Sequence, residues 1–252
     1  MTQLHHPGKL PPNNPIADDG DELHFCSTCA FGSVCLPAGL NKTALNDLHL
    51  LVEHVGPFHT GDHIFRSDER FAALFAVRAG MVKTRQVDDE GHEQVLGFHL
   101  PGEMIGLDAI HPAKYPCDAI ALDTVYVCRF SFPALSTLAA KIPDVQQRLF
   151  DLLSADIGKS NRFSGDHTAD ERLAAFLLDL AGRYAARGFA ASAFRLVMPR
   201  ADIANYLRLA AETVSRVLRR FQDQGLIHVD GRELELVDKA TLQKMARHIL
   251  RD

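Results

Sequence analysis

Three cysteines fall within ten residues in the stretch CSTCAFGSVC, at Cys26, Cys29 and Cys35, and the chain's other two lie far downstream at Cys117 and Cys128. Thiols at this density are soft metal ligands. A [4Fe-4S] cluster takes four thiolates, and three of them on one short loop let their sulfurs converge on a single cube. A tetrahedral zinc site takes the same ligand set, and residue type alone does not separate the two. Redox-sensing or inert thiols are the remaining reading, since a reducing compartment disfavours structural disulfides.

A second set of chemically capable residues lies in PRADIANYLRLAAETVSRVLRRFQDQGLIHVDGRELELV. The pattern predicts a short helix from Pro199 to Leu207, a tight turn at Arg208-Leu209-Ala210, and a second helix from Ala211 to Gln224 stopped by Gly225. Two short strands flanking Asp230-Gly231 read as a hairpin. Helix, turn, helix and hairpin make a winged helix-turn-helix, whose second helix enters the DNA major groove. On that helix Glu212, Ser215, Arg216 and Arg219 share one face, while Val214, Val217, Leu218 and Phe221 supply the apolar face. Arginine can bond twice to the guanine edge, glutamate accepts from cytosine, and serine bonds to a base or to the backbone. Arg208, Arg219 and Arg220 suit phosphates. A solvated face with an i,i+4 Glu212–Arg216 pair is the plainer alternative, and the adjoining wing and short helix weigh against it.

The elements positioning these groups fall into four regions. Residues 1–25 are rich in Pro, Asn, Asp and Gly and read as a mobile leader. Residues 26–140 hold the thiol segment and a β-rich sensory domain, with runs such as HIF, ALFAVRAGMVKTRQV, QVLGFHL and TVYVCRF broken by turn signals at Gly61, Gly80, Gly91 and Gly102. Short strands at this spacing suggest an antiparallel roll or barrel. Residues 141–166 hold a long helix, roughly Asp144 to Arg162, on which Phe150, Leu153 and Ile157 form a narrow apolar stripe with Gln146 and Ser160 at its polar ends. A stripe this narrow fits a two-helix seam, with packing on its own domain as the alternative. Residues 167–252 are the DNA-facing domain and open with a helix bearing Asp170 and Glu171 in its first turn and Gly188 past its end. The fold class is therefore α+β.

The net charge of −5 looks wrong for a nucleic-acid binder until it is divided. From His167 onward 14 Lys and Arg stand against 11 Asp and Glu, a balance of +3, and the first 166 residues carry 13 against 21, or −8. That asymmetry suits a sensing module carrying a DNA-facing module. The 252 residues hold no apolar run of about 18 and no signal-like opening, so a cytoplasmic protein without membrane contact is expected. Neither a Gly-rich phosphate loop nor a nucleophile, base and acid grouping is present, so turnover of a substrate is not expected.

Taken together, DIANYLRLAAETVSRVLRRFQDQGLI, GFHLPGEMIGLDAI and the seam helix resemble the CRP/FNR superfamily of bacterial transcription regulators, over nearly everything after residue 25. The C-x2-C-x5-C spacing of Cys26, Cys29 and Cys35 is similar to that of the FNR branch, the oxygen-responsive fumarate and nitrate reduction regulators. The resemblance implies a [4Fe-4S] cluster on these three and on Cys128, taken to lie at a strand end near the start of the seam helix, with Cys117 as a substitute ligand or a spare thiol. It further implies a homodimer paired through Phe150, Leu153, Ile157 and Ser160 while the cluster is intact, a monomer otherwise, and loss of DNA binding on oxidation. The implied target is a palindromic TTGAT-type site in double-stranded DNA, with Arg216 on the G, Glu212 on the paired C and Ser215 at a T. Contact with RNA polymerase, through loops such as Asp88 to His92 and surfaces of the C-terminal domain, is implied as well, without assignment to particular residues.

The alternative is a regulator of the same superfamily that answers to another effector, haem, a nucleotide or thiol redox state, and of these a nucleotide fits less well. Gly102-Glu103 resembles one nucleotide-holding pair of the CRP branch, but Pro116-Cys117 stands at the Arg-Ser position and offers the phosphate no charge. Two departures from family habit are Arg208, where a turn glycine is common, and Ser160, where an acidic seam residue is common.

Overall fold

The computed structural model describes residues 26, 29–160 and 165–250; the leader at 1–25 lies outside them, as do the side chains of 159 and 160. The described residues separate into two units on either side of Ser164 and Gly165.

In the first unit the turn-punctuated sequence folds as the predicted antiparallel roll. Its strands are β1 (Val52–Phe58), β2 (His63–Phe65), β3 (Ala73–Ala79), β4 (Val82–Val87), β5 (Glu93–His99), β6 (Met104–Ile105), β7 (Asp118–Ala121) and β8 (Val125–Ser131). They pair into two four-stranded sheets, ordered β1-β8-β3-β6 and β2-β7-β4-β5. Gly80 shows why the turns fall where they do: at φ 78° an added Cβ would sit 2.4 Å from the Thr124 carbonyl.

Strand β3 is buried on both faces, and its side chains alternate between two cores. Ala73, Phe75 and Val77 join Phe65, Ile105, Tyr115, Cys117, Val125 and Val127 inside the roll. There the Phe65 and Tyr115 rings stack with centroids 4.0 Å apart, and the Tyr115 hydroxyl donates to the Ala73 carbonyl at 2.7 Å. Leu74 and Ala76 point the other way, into a second core with Cys35, Leu36, Leu48, Phe130, Leu135 and Val145. That core is closed by α1 (Lys42–His49), α2 (Phe132–Lys141) and α3 (Pro143–Ser160). The Asn41 side chain caps α1, accepting from the Ala44 amide at 3.0 Å.

The second unit contains α4 (Ala169–Ala185), β9 (Ala193–Arg195), α5 (Arg200–Tyr206), α6 (Ala211–Asp223), β10 (Ile227–Asp230), β11 (Glu233–Leu236) and α7 (Lys239–Ala246). Thr168 and Glu171 form a reciprocal capping box at the start of α4. Val214, Val217, Leu218 and Phe221 bury the inner face of α6, and β10, β11 and β9 form the wing sheet.

Candidate metal centre and nucleic-acid interface

The thiol segment is a chain of tight turns rather than an open coil. The Cys29 carbonyl accepts from the Gly32 amide at 3.0 Å, and the Phe31 carbonyl from the Val34 and Cys35 amides at 3.1 and 3.0 Å. Gly32 lets the chain close this tightly, because a Cβ there would crowd the carbonyls of Cys26 and Cys29 at 3.1 and 3.3 Å. The buried side chains Phe31 and Leu36 anchor the segment. The turn at Gly102 braces its far end, where an added Cβ would sit 2.6 Å from Val34 Cγ2.

Strand alternation decides which downstream cysteine meets this segment. Val127 faces the interior of the roll, so Cys128 faces the helical side and packs with the core that holds Cys35. Its electrostatic surroundings agree. Burial pushes the Cys35 thiol up to about 12, the Leu36 amide opposing, with further upward pushes from Cys128, Cys29 and Cys26. Burial pushes Cys128 up to about 12 as well, against Arg78, with Cys26 and Cys29 adding to the rise. Burial and then Cys29 raise Cys26 to about 11. Cys117 belongs to a different neighbourhood: burial raises it first, then Asp108, whose Oδ2 accepts from its Sγ at 3.7 Å.

The four thiols thus repel one another when ionised, and the positive charge of a bound metal or cluster would relieve that repulsion. In chemistry and in neighbourhood the donor set fits such a group. Among the described residues, no three His, Cys, Asp or Glu side chains are already drawn into a ligand shell.

One expected placement needs correction. Cys128 lies in mid-strand rather than at a strand end, opposite His54 of β1 and Ala76 of β3. Helix α2 intervenes in the chain between it and α3, yet Cys128 packs against the same core as Ile142 and Val145 at the start of the seam helix.

Helix α3 presents two faces. Val145, Arg148, Leu149, Leu152 and Asp156 are wholly or partly buried toward the roll, whereas Phe150 and Ile157 are 55% and 66% exposed. Leu153 lies between the two sets, half-buried against the second core. The helix therefore packs on its own domain along one side and leaves Phe150 and Ile157 exposed on another, with Leu153 shared between them. Ser160 is the last described residue of the helix, and the expected continuation to Arg162 lies outside the described residues. Sequence reasoning missed Arg148, whose guanidinium donates to the carbonyls of Cys35 and Val34.

On the DNA-facing unit, Glu212, Ser215, Arg216 and Arg219 lie exposed along α6. Glu212 and Arg216 form the i,i+4 pair at 3.6 Å, and Ser215 Oγ donates to the Ala211 carbonyl at 3.0 Å. Arg208 turns the chain between α5 and α6 with φ 56°, the left-handed conformation that glycine adopts freely. Arg220 is engaged within the unit, paired to Asp170 at the start of α4. Arg172, also missed in the sequence, joins the Leu207 carbonyl at the end of α5 to those of His167 and Gly165. The Asp88–His92 turn is closed by Asp88 Oδ1, which accepts from the Glu90 and His92 amides at 3.0 and 2.8 Å. No helix among the described residues is long and apolar enough to cross a membrane.

With this geometry established, similarity to known proteins can be set beside it. Residues 56–141 match the cyclic nucleotide-binding domain family, and residues 171–245 the Crp-like helix-turn-helix domain family. The transcriptional activator protein anr of Pseudomonas aeruginosa is 41% identical over 224 residues, covering 88% of this chain and 92% of that protein. The fumarate and nitrate reduction regulatory protein of Escherichia coli is 37% identical over 236 residues, covering 92% and 94%. Among solved structures, FixK2 from Bradyrhizobium japonicum superposes with a TM-score of 0.71 at 27% identity, covering 77% of this chain and 96% of that one.

Proposed function

This chain belongs to the FNR branch of the CRP/FNR superfamily of transcription regulators, and from that membership we propose an oxygen-responsive regulator whose DNA binding depends on a [4Fe-4S] cluster at Cys26, Cys29, Cys35 and Cys128. The observation that carries the reading is the shared neighbourhood of these four thiols, from which Cys117 is set apart. When bound, the cluster supplies an oxygen-labile tie among four sulfurs.

The chain's own residues do the rest. The turns from Cys29 to Cys35, with Cys26 just before them, bring three thiols into the neighbourhood of Cys128 on β8. The inner face of α3 closes over the same core, and its outer face, Phe150 and Ile157, is where a second copy pairs. Two copies present two α6 helices to half-sites one DNA turn apart; a single copy loses the second half-site and its avidity. On a TTGAT-type half-site Arg216 reads the G, Glu212 the paired C and Ser215 a T, while Arg208 and Arg219 hold phosphates. Arg220 reaches a phosphate only by releasing Asp170. The exposed Asp88–His92 turn is the proposed contact for RNA polymerase.

A nucleotide effector is disfavoured by the filled interior of the roll. Phe65, Phe75, Tyr115 and Cys117 pack there, and Glu103 accepts from its own turn's Leu100 amide at 3.2 Å.

Iron, zinc and acid-labile sulfide analysis of anaerobically prepared Cys128→Ser and Cys117→Ser proteins tests the assignment. Cys128→Ser is expected to lack iron and sulfide, and Cys117→Ser to retain both. The reverse pattern, or zinc in place of iron, overturns it.

A further inference from the structure

We infer that Arg148 is the positioning residue through which the thiol segment sets the seam helix α3; the inference rests on the pairing function proposed above. Arg148 Nη2 donates to the Cys35 carbonyl at 2.9 Å and to the Val34 carbonyl at 3.4 Å, and Nε donates to the Cys35 carbonyl at 3.3 Å. The fork joins residues 113 positions apart in sequence. It is half-buried and flanked on the inner face by Val145, Leu149 and Leu152, so a guanidinium there gives charge-assisted, directional bonds that solvent screens only partly.

Two features suit the fork to coupling rather than to simple packing. First, its acceptors are main-chain carbonyls, so the Cys35 sulfur stays free to ligate while its backbone position is read. Apolar contacts between the segment and α3 tolerate sliding, whereas a two-pronged hydrogen bond fixes position and direction. Secondly, Phe150 lies two residues on, about 200° around the helix axis. One turn of a stiff helix therefore carries the fork on one face and an exposed pairing side chain on the other. A displacement of the Cys35 carbonyl then reaches the pairing face through the Arg148 side chain alone, which the fork holds at its far end. Arg148 needs no part in holding the cluster, because it offers no ligand atom.

The test compares full-length wild type, Arg148→Ala and Arg148→Lys, each prepared anaerobically with and without iron and sulfide. Iron and sulfide content, thermal midpoint and the dimer dissociation constant by sedimentation are read for each. Arg148→Ala is expected to load as wild type does but to lose about tenfold of the gain in pairing that loading produces, the factor set by one charge-assisted hydrogen bond. Arg148→Lys, with one donor in place of a fork, is expected to recover part of it. An undiminished gain in Arg148→Ala overturns the inference, and so does failure of that variant to load, which would make Arg148 a support of the segment alone.

If wild type itself neither loads nor pairs, the proposed function fails separately. The fork is then read in the metal-free protein by amide exchange. Faster exchange in Arg148→Ala both across residues 32–38 and along α3 sustains the coupling, and unchanged exchange in either segment removes it.

Discussion

Replacing Arg208 with glycine should raise the stability of the second unit while weakening its grip on DNA. Arg208 holds φ 56° in the turn between α5 and α6, its amide bonded to the Asn205 carbonyl at 3.0 Å and the Leu209 amide to the Ala204 carbonyl at 2.8 Å. A side chain in this left-handed conformation costs about 1–2 kcal/mol. Glycine removes that cost but brings extra freedom to the unfolded chain, worth about 0.5–1 kcal/mol. The net gain is about 0.5–1 kcal/mol, which for a unit of this size raises its melting midpoint by roughly 2–8 °C. The same change deletes an exposed positive charge. If that charge meets a phosphate, the slope of log K against log salt should become shallower by about 0.9 per half-site. Calorimetry of the full chain and DNA titrations at several salt concentrations read the two effects. A midpoint that stays level or falls refutes the strain argument; an unchanged slope refutes the phosphate contact.

Two further outcomes follow from the first unit. Ile157→Glu changes a side chain that is 66% exposed in the single chain, so monomer stability should move by no more than about 0.5 kcal/mol, while sedimentation should show pairing abolished. Asp118 is held below the usual carboxylate range: burial opposes its charge, but the Ser67 amide, the Arg85 guanidinium and nearby His63 outweigh it. A depressed folded value gives stability that is complete above the ordinary carboxylate pKa of about 3.9 and is lost as pH falls through the lower folded value. Denaturant titrations of Asp118→Asn should accordingly show a shallower decline below about pH 4 than wild type.

What the sequence disclosed was what short-range pattern controls. The alternation of α6 is strong enough that Val214, Val217, Leu218 and Phe221 could be assigned to its buried face directly, and Gly80 and Asp230-Gly231 mark tight turns because few other residues fit them. Helix α1 and strand β7 escaped notice: eight and four residues are too few for a period to stand out, and DAIA in β7 is a run nearly all buried, without alternation. The two faces of α3 overlap in sequence, so the pattern offered seam and packing as alternatives and did not separate the residues of each. Contacts that depend on distant pairing were invisible altogether. The fork from Arg148 to Cys35 and the Arg220–Asp170 pair arise only after strands and helices have packed, and so does the mid-strand setting of Cys128 between β1 and β3.

The account stands or falls on one comparison. Protein prepared without oxygen is assayed for iron, acid-labile sulfide and affinity for a two-fold TTGAT-type duplex, then exposed to air and assayed again. The account predicts iron and sulfide in equal amounts at the outset, tight binding as a dimer, and the loss of both cluster and affinity in air. A colourless, iron-free protein that binds the duplex equally well before and after air contradicts it.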